Sequence, residues 1–303
     1  MLQFMPELPD VTVYVEALRR RVQGHQLRQA RMRGPFLLRT TSPPIESTFG
    51  KTVTDIRRVG KRIAFGFEGG VWLAVHLMIA GRFHWKDRAP SLTAKNFLAA
   101  FEFDTGWLLL TEAGSQHRAA LHVVVGDEGL HALDAGGIEV LEADLAAFEA
   151  ALRSENHTLK RALTDPRLFS GIGTAYSDEI LHRARLSPVA MTQRLDTESV
   201  KRLFHNTQEV LREWIERLRR DALEKFPEKV TAFRPEMAAH GKYGQPCPRC
   251  GAKIQRIRYA ANETNYCPVC QTGGRLLADR GLSRLLREDW PRTLEELEAL
   301  KKR

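Results

Sequence analysis

The chain has 303 residues, of which 43% are hydrophobic and 27% charged, enough for two packed domains plus a small appendage and unlike a disordered composition. No apolar run approaches the roughly 18 residues a membrane-spanning helix needs, and the start lacks a secretory pattern, so a cytoplasmic protein with no membrane partner is expected. Lys and Arg total 46 against 37 Asp and Glu, and the formal charge of +9 favours a polyanionic partner through long-range attraction.

The first predicted element is a helix from Asp10 to Val22, with Asp10 as N-cap, apolar Val11, Val15, Leu18 and Val22 on one face, and Gly24 as the stop. From Leu27 to about Val140 the pattern changes to short apolar runs separated by Gly, Asp and Asn turn signals. These runs are Ile63 to Phe67, Val71 to Val75, Phe97 to Phe103, Trp107 to Leu110 and Leu121 to Val125. They predict an antiparallel β-sandwich or barrel. Helices follow over Asp144 to Leu152, Thr158 to Thr164, Ala175 to Ala184 and Thr197 to Arg220. The composition shift near residue 142 divides a β domain (1–142) from a helical one (143–240). A segment rich in Gly, Pro, Cys and aromatic residues (241–275) and a basic tail (276–303) come after it. In the tail, Trp290 and the pattern Leu294-Glu-Glu-Leu-Glu-Ala-Leu300 suit a helix packed on the protein rather than on a polyanion.

All four cysteines lie between Cys247 and Cys270, which excludes a chain-wide disulfide framework. Cys247-Pro-Arg-Cys250 and Cys267-Pro-Val-Cys270, separated by 16 residues, fit a tetrahedral four-thiolate site for one zinc ion. Gly251 lets the backbone turn, and four ligands leave no open position, so the zinc is expected to be structural. A redox dithiol pair is the other reading of CxxC, but neither copy sits in a βαβ context. Between the knuckles lie Lys253, Arg256, Arg258, Tyr259 and Asn262, suited to phosphates or to a plain solvated hairpin.

At the other end, Met5-Pro6-Glu7-Leu8-Pro9-Asp10-Val11 puts a proline and a carboxylate immediately before the helix. In a chain that begins at Pro6, that residue carries a secondary amine with a pKa of about 8. Such an amine is a nucleophile near neutral pH that can attack a sugar C1′, form an iminium and activate the C2′ proton for loss of the 3′ phosphate. Glu7 stands beside it as a proton carrier.

Pro6-Glu7-Leu8-Pro9-Asp10-Val11 resembles the N-terminal signature of the formamidopyrimidine-DNA glycosylase and endonuclease VIII family, and other motifs follow in the family's order. Arg58-Val-Gly-Lys61 resembles the loop whose lysine assists catalysis, and His76-Leu-Met-Ile-Ala-Gly81 resembles its His-Leu-Gly-Met-Ser-Gly turn. Leu159-Lys160 with Phe169 to Leu181 and Ser187-Pro188 resembles its helix-two-turn-helix module, and the four-cysteine hairpin completes the series. The resemblance implies an α+β fold: an N-terminal antiparallel β-sandwich with a leading helix, a helix-two-turn-helix domain and a zinc-finger hairpin. It implies a bifunctional DNA glycosylase and abasic-site lyase acting on an extruded nucleotide of damaged duplex DNA, expected here as a monomer of the bacterial cytoplasm and nucleoid. Pro6 is then the nucleophile, Glu7 the proton shuttle and Lys61 the phosphate and catalytic support. Lys160, Gly173, Thr174, Arg256, Arg258, Asn262 and Ile79 are the DNA contacts, with Gly171 and Gly173 offering backbone N–H groups at a helix start.

The chain departs from the family pattern in four places. Met1 to Phe4 precede the signature; Thr174 stands for an asparagine; Asn262 stands for an arginine, losing a bidentate charge that Arg256 or Arg258 would have to replace. Gly114-Ser-Gln-His-Arg118 does not reproduce the run that supplies an arginine and an aromatic wedge, leaving Ile79 at the position of the intercalating methionine. These departures keep a second reading open, a catalytically weak lesion-binding or DNA-structure-binding protein. A zinc-ribbon transcription factor is a third, which leaves the first 140 residues unexplained.

Overall fold

The computed structural model describes residues 5–113, 118–222, 225–228, 234–259, 262–279, 283, 285, 286, 288 and 290–301. By packing, the chain forms two units: 1–135 with 213–232, and 136–212 with 233–303. The division is therefore not linear in sequence, since the end of one long helix and the segment after it pack with the first unit.

In the first unit, helix α1 spans Leu8–Val22 and is capped by Glu7 rather than by Asp10. The carboxylate of Asp10 accepts the Glu7 N–H at 3.0 Å, and the Glu7 carboxylate reciprocally accepts the Asp10 N–H. Two orphan donors are thereby satisfied, and Pro9, which has no N–H to orphan, fits the first turn. This is why the helix starts earlier than the apolar repeat suggests.

Eight strands follow: β1 (Gln26–Met32), β2 (Lys51–Val59), β3 (Arg62–Phe67), β4 (Val71–His76), β5 (Gly81–Lys86), β6 (Phe97–Phe103), β7 (Gly106–Glu112) and β8 (Ala120–Val125). All pair antiparallel in the order β5-β7-β6-β1-β2-β3-β4-β8. The halves β5-β7-β6-β1 and β2-β3-β4-β8 form the predicted sandwich, joined by a short pairing of Gln26 with Thr52 and Leu27 with Lys51. Ile56, Ile63, Phe65, Val75, Phe83, Phe101, Leu108 and Leu121 fill the core together with Val11, Tyr14 and Leu18 of α1. The opposite face of β3 and β4 is also apolar, because Ala64, Trp72 and Ala74 pack against Leu130 of α2 (Gly126–His131).

The second unit is built from α3 (Leu145–Arg153), α4 (Leu159–Thr164), α5 (Thr174–Ala184) and the start of α6 (Thr197–Asp221). Asp144 caps α3 through the Ala147 N–H at 2.8 Å. Phe148 packs between Phe169 and Phe204, with ring centroids 4.9 and 5.3 Å away. Strands β9 (Gln255–Tyr259) and β10 (Asn262–Tyr266) form a hairpin, followed by α7 (Pro268–Thr272) and, near the end, α8 (Leu294–Lys301). The tail packs on this hairpin. The Leu276 N–H donates to the Arg292 carbonyl, Lys253 pairs with Glu298, and Trp290 and Leu297 line a cavity of about 340 Å³ with Tyr243, Arg256 and Tyr266. No helix among the described residues is long and apolar enough to cross a membrane.

Candidate nucleic-acid interface and metal centre

Pro6 and Glu7 are buried at the start of α1, Glu7 with only 3% of its surface exposed. Lys61 sits in the β2–β3 turn, where Gly60 takes a left-handed φ of 58° and the Arg58 guanidinium braces the Gly60 carbonyl at 2.8 Å. Burial pushes the Lys61 pKa down, and the nearby Glu7 carboxylate opposes that shift. The structure thus brings Glu7 and Lys61 near one another. It adds His76, paired across β3 and β4 with Arg62. Burial, reinforced by the Arg62, Lys61 and His122 charges, lowers the His76 pKa to about 3, so the ring is neutral at physiological pH. Its Nδ1 accepts the Met78 N–H at 3.0 Å, which leaves the proton on Nε2.

That turn holds two tight positions. A Cβ on Gly81 would lie 2.1 Å from the Leu77 carbonyl oxygen, so only glycine fits there. Met78, which stands where the family pattern has glycine, keeps a left-handed φ of 52°. For a side chain this conformation costs about 1–2 kcal/mol. Replacing Met78 by glycine is expected to stabilise the first unit by about 0.5–1 kcal/mol after the extra unfolded-state entropy is counted, raising its melting temperature by about 1–4 °C. Calorimetry showing a lower melting temperature would contradict the strain. Ile79, next in the turn, is half-buried.

In the second unit Gly173 caps α5 and Thr174 opens it, partly exposed. Lys160 does not project freely. Its ammonium donates to Asp178 Oδ1 at 2.5 Å and to the Thr174 carbonyl at 2.6 Å, so it braces the start of α5 from behind. Asp178 is fully buried, and its other oxygen accepts from His240 Nδ1 at 2.7 Å and the Asn265 N–H at 3.1 Å. Glu179 accepts the Ala238, Ala239 and His240 N–H groups at 2.8–2.9 Å; burial raises its pKa while those three donors oppose the rise. Sequence reasoning missed both acids, because helical carboxylates usually face water. Their adjacency was the available signal, since neighbours on a helix cannot both share its outermost line.

The four cysteine sulfurs lie within 4.8 Å of one another. Cys247 Sγ is 3.9 Å from Cys270 Sγ, and Cys250 Sγ is 3.4 Å from Cys267 Sγ. A tetrahedron with Zn–S bonds of about 2.3 Å has edges of about 3.8 Å, so the sulfurs fit zinc, whereas a disulfide needs about 2.05 Å. Gly251 turns the first knuckle with φ of 77° as its position implied, and the Cys270 N–H donates to Cys267 Sγ at 3.4 Å. Burial raises the thiol pKa of Cys267 strongly and that of Cys270 to about 11. A divalent cation would offset that cost by binding the thiolates. The site suits one structural zinc ion, held by Cys247, Cys250, Cys267 and Cys270.

On the adjoining hairpin, Arg256 lies over the Tyr243 ring at 4.1 Å and, with Arg258, flanks the buried Glu263 carboxylate at 3.4 and 3.2 Å. Arg258 is the more exposed of the two, at 57% against 31%. Asn262 opens β10 opposite Tyr259. Met1 to Phe4 and residues 114–117 of the Gly114 to Arg118 stretch lie outside the described residues. At the edge of that stretch, the buried Glu112 carboxylate accepts the N–H groups of Arg118 and Ala119 at 2.9 Å.

Comparison with known proteins agrees with this layout. Residues 5–117 match the formamidopyrimidine-DNA glycosylase N-terminal domain, 137–222 the formamidopyrimidine-DNA glycosylase H2TH domain, and 244–273 the zinc finger found in FPG and IleRS. The chain is 32% identical over 279 residues to the formamidopyrimidine-DNA glycosylase of Thermus thermophilus, spanning 89% of this chain and 100% of that one. It is also similar to the crystal structure of MutM (Fpg) from the same organism, with 30% identity, a TM-score of 0.74 and coverage of 88% and 98%. A Lactococcus lactis Fpg solved with DNA containing an abasic site gives 26% identity, a TM-score of 0.78 and coverage of 88% and 99%. The chain belongs to the formamidopyrimidine-DNA glycosylase family.

Proposed function

We propose that this protein removes damaged bases from duplex DNA and then cleaves the strand at the resulting abasic site, acting as a monomer with Pro6 as nucleophile. The observation that carries the reading is the cluster of buried Pro6, Glu7 and the desolvated Lys61 at the positive end of α1. A helix N-terminus and a neighbouring ammonium both disfavour a further positive charge. In a chain beginning at Pro6 they keep the imino nitrogen unprotonated and nucleophilic. That nitrogen bonds to C1′ as the C1′–base bond breaks and the departing base takes up a proton. The nitrogen's lone pair forms the iminium as the sugar ring opens, Glu7 carries the protons, and loss of the C2′ proton expels the 3′ phosphate.

DNA is gripped by the N–H groups of Gly173 and Thr174 at the start of α5 and by Arg256, Arg258 and Asn262 of the hairpin. Ile79 fills space left by the extruded nucleotide. Lys160 acts through Asp178 and the Thr174 carbonyl rather than by touching phosphate. The active species is proposed to be bacterial and to begin at Pro6, which intact-mass measurement of protein from its native host checks.

The test is reductive trapping. Borohydride is expected to fix a covalent complex between abasic-site DNA and protein beginning at Pro6, and to fix none when Met5 is retained. Absence of an adduct from the Pro6 form, together with tight lesion binding, would favour the binding-only protein that the Thr174 and Asn262 replacements suggest.

A further inference from the structure

Helix α5 meets the zinc-finger segment along a row of side chains. Asp178 and Glu179 hold residues 238–240 and 265, as described above. One turn later, His182 Nε2 lies 3.2 Å from Cys247 Sγ. Beyond the helix, the Leu186 carbonyl accepts from Gln271 Nε2 at 2.9 Å, while Gln271 Oε1 accepts the Cys267 N–H at 2.8 Å. Each CxxC knuckle is therefore tied to this one helix or its C-terminal end. His182 and Cys247 are 4% and 2% exposed, so water does not compete for their contact. His182 lies one residue beyond the Phe169 to Leu181 stretch that carries the family resemblance.

A zinc-bound thiolate has lone pairs and no proton, so a ring nitrogen at this distance is attractive only as a donor. We propose that His182 is a positioning residue for the metal: its Nε2–H donates to the Cys247 thiolate, orients that sulfur and retards loss of zinc. Because the donor belongs to α5, metal retention and the placement of Thr174 at the other end of the helix become linked. The linkage holds whatever reaction the protein performs, so it stands or falls separately from the proposed chemistry.

The test uses the full zinc-loaded chain and four proteins: wild type, His182→Phe, His182→Gln and His182→Met. Phe keeps an aromatic ring without a donor. Gln places an amide N–H near the Nε2 position, and Met matches Gln in length but donates nothing. Zinc release to excess chelator, followed with a colorimetric indicator, is expected to be about 10–100-fold faster in the Phe and Met variants and within a few-fold of wild type in the Gln variant. With cobalt in place of zinc, the thiolate-to-metal charge-transfer band is expected to shift in Phe and Met but not in Gln. Phe releasing zinc as slowly as wild type would show that the ring only packs. If Phe does not fold, equal rates for Gln and Met overturn the proposal equally well.

Discussion

Replacing Glu7 by glutamine, in protein beginning at Pro6, is expected to lower base excision by about 10²–10⁴-fold, the range for loss of a positioned general acid–base group. The fold should tolerate the change. Glu7 receives the Asp10 N–H in the reciprocal cap of α1, and a glutamine carbonyl oxygen can accept that same donor. Alanine would lose it, at about 1 kcal/mol. Single-turnover excision kinetics on a lesion duplex, with melting curves for Gln and Ala variants, separate the two effects. If Glu7→Gln excises at the wild-type rate, the carboxylate is a cap and nothing more. Trapping at a preformed abasic site should survive better than excision, because no base then has to leave.

Stripping the zinc, by a strong chelator or by Cys267→Ser, is expected to unfold the hairpin while leaving the β-sandwich intact. The apolar core around the metal consists of Cys247, Ile254 and Cys267 with Ala252 and Cys270 against it, far too little to hold a segment of this length. Structural zinc in isolated fingers contributes about 10–16 kcal/mol at pH 7. With Arg256 and Arg258 no longer presented, the salt dependence of DNA binding should fall by about two phosphate contacts, and affinity by about 10²-fold or more. Hydrogen exchange should show the loss of protection confined to the second unit. Unchanged DNA affinity after verified metal loss would remove the hairpin from the interface.

The metal centre was the most legible part of the sequence, because a tetrahedral ion demands a ligand spacing that chance rarely produces. The β-sandwich was legible where both faces are apolar, as in β3, β4, β6 and β7, and not where polarity or irregularity hides the period. In β1 the run Gln-Leu-Arg-Gln-Ala-Arg-Met offers one fully buried side chain, Leu27. In β2 the buried Val53 and Ile56 lie three apart, since the register shifts between Val53 and Asp55 and displaces the two-residue alternation. β5 alternates Phe83 and Trp85 with polar residues, but its start was read only as the end of the His76 turn. Among the site residues, Glu7 lies close enough to Lys61 for its charge to act on the ammonium, although they are 54 positions apart in sequence. The resemblance implies a DNA contact at Lys160, and nothing local in the sequence announces that Asp178, on the next helix, accepts from its ammonium. His182 was invisible for the same reason: its partner sulfur is 65 residues away.

The anchoring of the segment before β8 has a consequence for which positions of the sequence the fold leaves open to substitution. Because one side-chain carboxylate, that of Glu112, grips the main chain of Arg118 and Ala119, the return of the chain into the sheet is secured by backbone N–H groups that every amino acid except proline carries. That hold asks nothing of the side chains at positions 114–117. Side chains can therefore be exchanged at those positions without reopening the question of how the eighth strand finds its place.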